Sequence, residues 1–344
     1  LGDIRFMSRN EPNQVNENFW YCTTCRACLE VCPVYGAAFE VVTKKRVLAV
    51  EEGTLVPTLL SQTLEKLFKY NNPWESSKRK RGAWADELEL TDLTKKGAEA
   101  DLCYFVGCTT SFDDTAQVIA RSFSEILQIA GVNFGILGKK EPCCGDIARR
   151  VGELGLFEEQ KDGCEEVFDK YDITEVVTSS PHCFHTFKNE YPEASFRARH
   201  YTQVLQELLT NGKLPFTKKV EATVTYHDPC YLGRHNRIFD EPREIIRNIP
   251  GVKLVEMAHH RADSLCCGGG GGRMWQDLQG EIKMSEVRIR EAEATGAEIL
   301  ITACPLCLIM LEDARKAAGL KEPFRVMDLN ELVLQATVLD HESH

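Results

Sequence analysis

The sequence predicts an α/β protein, in which a small helical amino-terminal domain precedes two copies of a cysteine-rich, Rossmann-like module built on a parallel sheet. Three observations carry this prediction. A pattern of cysteines occurs twice, with matching positions 122 to 124 residues apart, which indicates a duplicated module. Short apolar runs alternate with helical patterns through both copies, as in parallel strands covered by helices. A separate group of closely spaced cysteines precedes the repeat.

The amino-terminal domain is predicted over residues 1–70. Residues 1–20 are polar and rich in Asn, so we expect an extended lead-in. Four cysteines and a proline follow with the spacing C-x2-C-x2-C-x3-C-P, which is the run found in bacterial ferredoxins. Helical patterns then occupy Phe39–Glu51 and Thr58–Tyr70. We therefore expect a small α-helical, ferredoxin-like domain.

The cysteine run predicts a cubane [4Fe–4S] cluster. Its four candidate ligands are Cys22, Cys25, Cys28 and Cys32. A structural zinc site or a disulfide knot is the alternative, and the short spacing with Pro33 after the last cysteine disfavours both. In two-cluster ferredoxins the fourth cysteine ligates the other cluster. Cys32 therefore either completes its own cluster or serves a second run upstream, and the start at Leu1 without an initiating Met favours an upstream segment.

Residues 71–100 are predicted to be a connector. The segment runs from Asn-Asn-Pro-Trp through the basic stretch Lys78–Arg81 to acidic turns. We interpret the basic stretch as a solvated face of the connector, with a docking patch as the alternative.

Module one is predicted over residues 101–217 and module two over residues 218–344. The strands expected in module one are Ala100–Gly107, Val132–Leu137 and Thr174–Thr178, and its helices are Thr115–Ile129 and Glu159–Lys170. The strands expected in module two are Ala222–Tyr226, Val252–Met257 and Ile299–Thr302, and its helices are Glu241–Asn248, Ile282–Thr295 and Leu308–Ala318. Cysteines follow each of these strands. Since the carboxyl ends of parallel strands meet at one edge of a sheet, we expect each module to gather its cysteines there.

The modules differ in the number of thiolates they offer. Module one contributes Cys108, Cys143, Cys144 and Cys183. Module two contributes Cys230, Cys266, Cys267, Cys304 and Cys307. Five thiolates are more than a tetrahedral zinc ion can use, and a soft, sulfur-rich site of this size indicates an iron–sulfur cluster. The side chains of an adjacent Cys-Cys pair point apart, which suits a cluster with several irons better than a single metal ion.

Glycine follows the Cys-Cys pair in both modules, and in module two it extends to the run Gly268–Gly272 before Arg273. Glycine lets the backbone approach a cluster closely and present N–H groups to its sulfurs. A flexible loop is an alternative. A phosphate-binding loop is disfavoured because no Lys-Ser/Thr pair follows the glycines.

A few polar residues near the cysteines have more than one interpretation. His227, Asp228 and His235 lie close to the first cysteine of module two, where one could supply a proton, form a hydrogen bond to a cluster sulfur or stabilise a turn. Arg149 and Arg273 could offset the charge of a cluster or form ordinary surface salt bridges.

Composition narrows the class of protein. The formal charge is −11, which argues against nucleic acid and against direct binding to an anionic membrane surface. The motifs use all cysteines except Cys103 and Cys164, which we interpret as buried and structural. So many free thiols predict a reducing, cytoplasmic environment. No apolar run reaches the length of about 20 residues that spans a bilayer.

These motifs resemble the catalytic-subunit family of heterodisulfide reductase, in particular its D-type subunit and related iron–sulfur oxidoreductases of membrane complexes. The resemblance covers Phe19 to about Leu334. It is carried by Phe19–Cys25 (Phe-Trp-Tyr-Cys-Thr-Thr-Cys), Val106–Cys108, Cys143–Asp146, Pro181–Phe184, His227–Arg234 and Cys266–Gly268. The resemblance implies that a complete five-cysteine module binds a noncubane [4Fe–4S] cluster that cleaves a disulfide in two one-electron steps. It also implies paired ferredoxin runs, of which the run here resembles the second.

Module one departs from the family pattern, because Ser180 stands where a cysteine is expected. An alcohol is a poor ligand for iron, so module one holds an altered cluster, a four-thiolate cubane or no cluster. We therefore expect the working site in module two. Its predicted catalytic residues are Cys230, Cys266, Cys267, Cys304 and Cys307.

The resulting prediction is an electron-transfer oxidoreductase subunit that acts on a thiol or disulfide. Its expected partners are other redox subunits, namely a flavoprotein, a ferredoxin-like protein or a haem-containing, quinone-reactive membrane subunit at the cytoplasmic face of a membrane. The alternative is a relay subunit without a substrate of its own, which joins a flavoprotein or dehydrogenase to the quinone-reactive partner. Module two favours the first prediction, and Ser180 favours the second.

Overall fold

The computed structural model describes residues 17–34, 36, 38–276 and 283–337. Most of the predicted lead-in (1–16), Ile282 and the last residues of module two (338–344) lie outside the described residues. The helices of the amino-terminal domain are α1 (Ala27–Glu30), α2 (Ala38–Glu51) and α3 (Thr58–Tyr70). Among the described residues, the two long helices agree with their predicted bounds to within one residue.

Module one is built on a parallel sheet. Its elements, with one strand from the preceding segment, are β1 (Thr91–Asp92), β2 (Leu102–Phe105), α4 (Cys108–Phe112), α5 (Gln117–Ile129), β3 (Phe134–Ile136), α6 (Asp146–Val151), α7 (Leu154–Lys170), β4 (Glu175–Thr178), α8 (Pro181–Asn189), β5 (Arg197–His200) and α9 (Tyr201–Thr210). The strand order is β1-β3-β2-β4-β5, and every pair is parallel.

Module two repeats this arrangement. Its elements are β6 (Ala222–Tyr226), α10 (Gly233–Asn236), α11 (Asp240–Asn248), β7 (Val252–Leu254), α12 (Met284–Glu293), β8 (Ile299–Thr302), α13 (Pro305–Ala317), β9 (Arg325–Asp328) and α14 (Leu329–Thr337). The strand order is β7-β6-β8-β9, again parallel throughout. The prediction of an α/β fold with two parallel-sheet modules is confirmed.

The three cysteine-bearing strands occupy equivalent places in the two sheets. In module one, β2 precedes Cys108, its neighbour β3 precedes the Cys-Cys pair, and its other neighbour β4 precedes Cys183. In module two, β6, β7 and β8 hold the same places. The sheets also contain strands that were not predicted: β5 and β9 at equivalent edges, and β1, which comes from the predicted connector and pairs with β3.

The two modules share one hydrophobic core. Helix α14 of module two packs on α5 of module one, and α11 of module two packs on α9 of module one. The helices between the two sheets therefore cover one another. Tyr104 and Phe123 of module one and Ile246 and Leu332 of module two are fully buried in this core. Because each module buries apolar surface against the other, the cysteine edges of the two sheets are held in a fixed relation.

Arg46 of α2 connects the amino-terminal domain to both modules. Its guanidinium is fully buried and donates to the backbone carbonyls of Phe19, Trp20 and Cys22 at 3.0, 3.3 and 2.6 Å. It also donates to the carbonyl of Arg150 in module one at 3.0 Å and to that of Gly271 in module two at 2.9 Å. One side chain thus joins three parts of the chain that are far apart in sequence.

The glycine run packs against the start of the Cys22 loop, by which we mean residues 22–32. A Cβ added at Gly270 would lie 2.5 Å from the carbonyl oxygen of Thr23, and one at Gly271 would lie 2.6 Å from that of Cys22. Gly271 also has a φ of +63°, which disfavours other residues. The glycine run therefore packs closely against the backbone of the Cys22 loop, and its approach to a cluster stays a prediction.

We expect Arg46→Met to destabilise the protein strongly. The variant leaves several buried carbonyls without a donor, and each such group costs about 1–3 kcal/mol. The thermal unfolding midpoint of the anaerobically purified protein should fall by several degrees. Lys44→Met, an exposed position on the same helix, is the control and should leave the midpoint nearly unchanged. Equal midpoints for the two variants would contradict the role given to Arg46.

A second prediction concerns the glycine run. Gly271→Ala should lower the unfolding midpoint because the new Cβ meets the Cys22 carbonyl and because a positive φ costs about 1–2 kcal/mol for an L-residue. Gly296→Ala is the matched control, since Gly296 has a φ of +72° but nothing within 4 Å of an added Cβ. The amount by which Gly271→Ala lowers the midpoint beyond Gly296→Ala measures the cost of the contact with the Cys22 carbonyl. A loss no larger than in the control would show that the contact is unimportant.

Candidate metal centres

The five cysteines of module two come together at the carboxyl ends of β6, β7 and β8. Cys230 follows β6, Cys266 and Cys267 follow β7, and Cys304 and Cys307 lie at the first turn of α13. The Sγ atoms of Cys267 and Cys307 are 3.3 Å apart. Cys230 and Cys266 are in hydrogen-bonding contact. All but Cys266, which is partly exposed, are buried.

Backbone amides point at these sulfurs. The amide of Gly268 donates to Cys266 Sγ at 3.3 Å, and the amide of Gly269 donates to Cys267. Hydrogen bonds from the thiols of Cys266 and Cys307, together with this amide, hold the pKa of Cys267 well below its usual range despite burial. Amide donors of this kind stabilise thiolates, which are the ligands of iron–sulfur clusters.

Arg234 supplies positive charge to this site. It donates to the carbonyls of Cys25, Ala262 and Ser264 at 2.6, 3.2 and 2.5 Å. Its Nη2 is buried and has no hydrogen-bond partner among the described residues. A buried cation beside several cysteines, with a donor to spare, fits a negatively charged group bound at these sulfurs.

The Cys22 loop lies directly against module two. Cys25 is in hydrogen-bonding contact with Cys266, which, together with burial, raises the pKa of Cys25. Thr23 Oγ1 lies 3.5 Å from Cys266 Sγ. Two sulfurs of the loop accept hydrogen bonds from backbone amides. Cys22 Sγ accepts from the amide of Thr24 at 3.4 Å, and Cys32 Sγ accepts from the amide of Gly36 at 3.2 Å. The candidate ligands of two different sites are therefore neighbours.

The Cys22 loop is also open to solvent on one side. Cys28 is exposed, while Cys22, Cys25 and Cys32 are partly buried. Burial raises the pKa of Cys22, and this effect outweighs the hydrogen bond from the Thr24 amide, which lowers the pKa.

Module one gathers its four cysteines in the equivalent place. Cys144 and Cys183 have their Sγ atoms 3.3 Å apart, and Cys108 is in hydrogen-bonding contact with Cys143. Cys164, one of the two spare cysteines, is buried beside them and donates to the carbonyl of Cys143 at 3.3 Å. Cys103, the other spare, is also buried, so both residues have the structural environment expected of them.

A buried ion pair supports the module-one cysteines. Arg81 Nη2 lies 3.3 Å from Cys108 Sγ and 3.0 Å from Glu141 Oε1. Glu141 in turn accepts the amides of Val106 and Gly107 at 2.8 and 2.9 Å. The basic stretch that contains Arg81 was predicted to be a solvated face; its first three residues are exposed, but Arg81 itself is buried. A spacing of 60 residues between Arg81 and Glu141 gives no local signal of their pairing.

Ser180 has a backbone role in place of a sulfur ligand. It is the N-cap of α8, where its Oγ accepts the amide of Cys183 at 3.5 Å. Cys304 holds the same position before α13, and its side chain makes no capping bond. The duplicated fold therefore keeps a helix start at both positions and a thiol at only one.

A small cavity of about 70 Å³ adjoins the module-one cysteines. Its walls include Cys108, Cys183, His182, the glycine run and Pro305, so both modules contribute to it. We call it the cysteine cavity. His182 is hydrogen-bonded to Asp146 at 2.9 Å and stacks on Tyr231, with ring centroids 4.0 Å apart.

His227 and Asp228, the polar residues before Cys230, have different surroundings. A ring nitrogen of His227 lies within 4.8 Å of the sulfurs of Cys267 and Cys307. Burial and the neighbouring Arg288 hold the pKa of His227 well below its usual range, so this imidazole is neutral. Asp228 is paired with Arg243 at 2.6 Å, and this ion pair fixes the turn before Cys230.

The remaining candidates form hydrogen bonds or ion pairs with other groups. His235 is bonded to the carbonyl of Thr24 at 2.9 Å. Arg149 pairs with Glu190 at 2.9 Å, as in the salt-bridge alternative, and Arg273 donates to the carbonyl of Tyr21 at 2.7 Å. Arg273 also interacts electrostatically with Cys266 and Cys22. Arg81 and Arg234 approach the cysteines as well, and the sequence pointed to Arg234 only as part of a motif.

Within the described ranges, no helix combines the length and the apolar character needed to cross a membrane.

Comparison with known proteins gives one matching family model, the cysteine-rich domain CCG, which matches residues 102–188 and again 224–312. The chain is 38% identical over 331 residues to the probable iron-sulfur-binding oxidoreductase FadF of Bacillus subtilis, covering 94% of this chain and 47% of that protein. It is 33% identical over 335 residues to the EtfAB:quinone oxidoreductase of Syntrophomonas wolfei, covering 93% of this chain and 47% of that protein. The chain thus spans about half the length of these two relatives.

A third relative is matched over most of its length. The chain is 33% identical over 340 residues to the D-type subunit of the dihydromethanophenazine:CoB--CoM heterodisulfide reductase of Methanosarcina barkeri, covering 96% of this chain and 80% of that protein. The resemblance drawn from the motifs is confirmed. The chain belongs to the family of iron–sulfur oxidoreductases that carry two copies of the CCG cysteine-rich domain.

Proposed function

We propose that this chain transfers electrons between a cubane [4Fe–4S] cluster in the Cys22 loop and a noncubane [4Fe–4S] cluster in module two, where a thiol or disulfide substrate reacts. The contact between Cys25 and Cys266 carries the proposal. It joins one candidate ligand of each cluster, so an electron would pass between neighbouring sites. Arg46 and the glycine run hold this contact in place.

The proposed ligands follow from the donor set. Cys22, Cys25 and Cys28 would hold the cubane cluster, with Cys32 as its fourth ligand or as a ligand to a cluster of an upstream run. Cys230, Cys266, Cys267, Cys304 and Cys307 would hold the noncubane cluster and form the catalytic site. The cluster would supply electrons one at a time and an iron atom to bind the substrate sulfur. In module one, Cys108, Cys143, Cys144 and Cys183 would hold an altered or four-thiolate cluster at most.

The protein's own residues prepare these sites for negative charge. The amides of Gly268 and Gly269 and the guanidinium of Arg234 stabilise thiolates in module two. Reduction of a disulfide at module two would consume two electrons and two protons and release two thiols, and thiol oxidation is the reverse.

A relay function is the second candidate, and two observations favour it. Ser180 caps a helix at the position that Cys304 holds in module two, so module one lacks the sulfur of that position. One relative is named as an EtfAB:quinone oxidoreductase. In this case the chain would pass electrons from a flavoprotein or dehydrogenase to a haem- or quinone-containing membrane partner, at the cytoplasmic face of the membrane, and would bind no sulfur substrate.

We predict that Cys266→Ser and Cys267→Ser each remove the module-two cluster, because serine is a poor iron ligand. Iron per protein should fall by one cluster, while the electron paramagnetic resonance (EPR) signal of the reduced cubane cluster persists. Cys103→Ala, a buried cysteine outside the sites, is the control and should keep its full iron content. An unchanged iron content in both serine variants would refute the ligand assignment.

The two candidate functions differ in their response to thiols. We expect low-temperature EPR spectra of the oxidised, anaerobic protein to gain a new signal when a substrate thiol is added, because its sulfur binds the module-two cluster. Cys267→Ser should not show this signal. Cluster signals that no thiol changes would reject the thiol/disulfide function and favour the relay.

A further inference from the structure

His227 brings a buried imidazole to the module-two cysteines. It is the first residue after β6 and lies three residues before Cys230. Its backbone amide donates to the carbonyl of Ile301 at 2.8 Å, which continues the pairing of β6 with β8 and fixes His227 at the carboxyl edge of the sheet. The residue is 1% exposed. One nitrogen of its ring and the sulfurs of Cys267 and Cys307 all lie within 4.8 Å of one another.

Arg288 of α12 determines which nitrogen of this ring carries the proton. The Nε of Arg288 lies 3.1 Å from His227 Nδ1. An arginine can only donate hydrogen bonds, so Nδ1 is the acceptor and carries no proton. The single proton of the imidazole is therefore on Nε2. The ring presents an N–H donor at Nε2, and the lone pair of Nδ1 is already engaged.

Three further hydrogen bonds hold Arg288 in place. This fully buried guanidinium also donates to the carbonyl of His259 at 2.8 Å, to the carboxylate of Glu291 at 2.7 Å and to the hydroxyl of Ser264 at 3.1 Å. A turn of the guanidinium away from His227 would leave buried polar atoms without partners, which is unfavourable. The orientation of the imidazole and the place of its proton therefore depend on Arg288, which acts as a positioning residue.

This arrangement favours one of the interpretations of His227, a hydrogen bond to a cluster sulfur. A metal ligand needs a free lone pair, which neither nitrogen offers. A neutral imidazole gives up its remaining proton only with difficulty, which disfavours a proton source. The turn before Cys230 is already fixed by the ion pair of Asp228 with Arg243. A donor beside the sulfurs is what remains, and hydrogen bonds to cluster sulfurs are a known determinant of reduction potential.

Module one has no such donor at the equivalent position. The residue three positions before its first cysteine is Phe105, at the end of β2. Phe105 is fully buried and packs edge-on against the rings of Phe168 and Phe187. The duplicated fold therefore accepts an apolar ring at this position, and the imidazole distinguishes module two.

We infer that His227 donates its Nε2–H to a sulfur of the module-two site, at Cys267 or Cys307, and that this hydrogen bond makes a cluster bound there easier to reduce. An added electron increases the negative charge on the sulfurs, and hydrogen bonds to a more negative acceptor are stronger. The inference deepens the proposed function and rests on it, because it requires a cluster in module two.

The test is an anaerobic potentiometric titration of the cluster-loaded protein, followed by EPR and visible absorption. His227→Phe should lower the reduction potential of the module-two cluster by at least about 59 mV, which is a tenfold change in the one-electron equilibrium constant. His227→Gln, whose amide keeps a donor and an acceptor, should recover most of this shift. The potential of the cubane cluster should stay nearly unchanged, and Cys267→Ser identifies the signals that belong to module two.

The matched control is His259→Phe. His259 is half-exposed and pairs with Glu291 at 2.8 Å, so the variant makes the same change close to Arg288. Both potentials should stay unchanged. An unshifted potential in His227→Phe, or an equal shift in His227→Phe and His227→Gln, would overturn the inference and leave the proposed function intact. A wild-type protein without a module-two cluster would overturn both.

Pulsed EPR of protein labelled with ¹⁵N-histidine gives a second measurement. A weak nitrogen coupling to the module-two cluster is expected from a hydrogen-bonded ring, and His227→Phe should lose it. A strong coupling would show direct ligation, and no coupling would show a distant ring; either overturns the inference. If His227→Phe fails to retain the cluster, His182→Phe carries the test, because His182 is an imidazole that interacts electrostatically with Cys304. The coupling should persist in that variant, and its loss would assign it to His182.

Discussion

The arrangement of this protein depends on the buried guanidinium of Arg46. Five carbonyls converge on it from the amino-terminal domain, module one and module two. A guanidinium suits this position because it offers five N–H donors in a rigid plane and keeps its charge when buried. Burial lowers the pKa of Arg46 to about 10, so it remains protonated at neutral pH. Arg46 thus helps to position the Cys22 loop, together with Arg234 and His235, which bond to the carbonyls of Cys25 and Thr24.

The duplicated modules show which parts of the repeat the fold requires. Ser180 and Cys304 each lie two residues after the end of a strand and cap a helix whose first residue is proline. Serine is among the best N-cap residues, so the replacement of the thiol leaves the backbone intact. Sheet order and helix starts are therefore kept in both modules, while the number of sulfurs differs. The difference between the modules is one of chemistry and not of architecture.

Sequence patterns predicted the central strands of both sheets but missed the edge strands β1, β5 and β9 and several helices, including α9 and α14, although these two helices bury apolar residues in the shared core. Strands β6 and β8 were predicted with their observed bounds because both are rich in apolar and β-branched residues. The edge strands β5 and β9 begin at Arg197 and Arg325 and contain charged residues, which conceals them. The repeat predicted which cysteines gather, because strand order brings them together. The pairing of Arg81 with Cys108 and of Cys25 with Cys266 depends on tertiary packing between distant segments, for which local periodicity gives no signal.

The charges around the cysteines make the two modules unequal as sites for an added electron. Arg81 beside Cys108 is paired with the carboxylate of Glu141, so the pair adds little net charge to module one. Arg234 beside Cys230, Cys25 and Cys266 has no carboxylate partner within the described residues, so no carboxylate compensates its charge. In a buried site an uncompensated cation stabilises a nearby negative charge more than a neutral ion pair does. A cluster at module two would thus be the easier of the two to reduce, which is a second reason, independent of Ser180, to place the working site there.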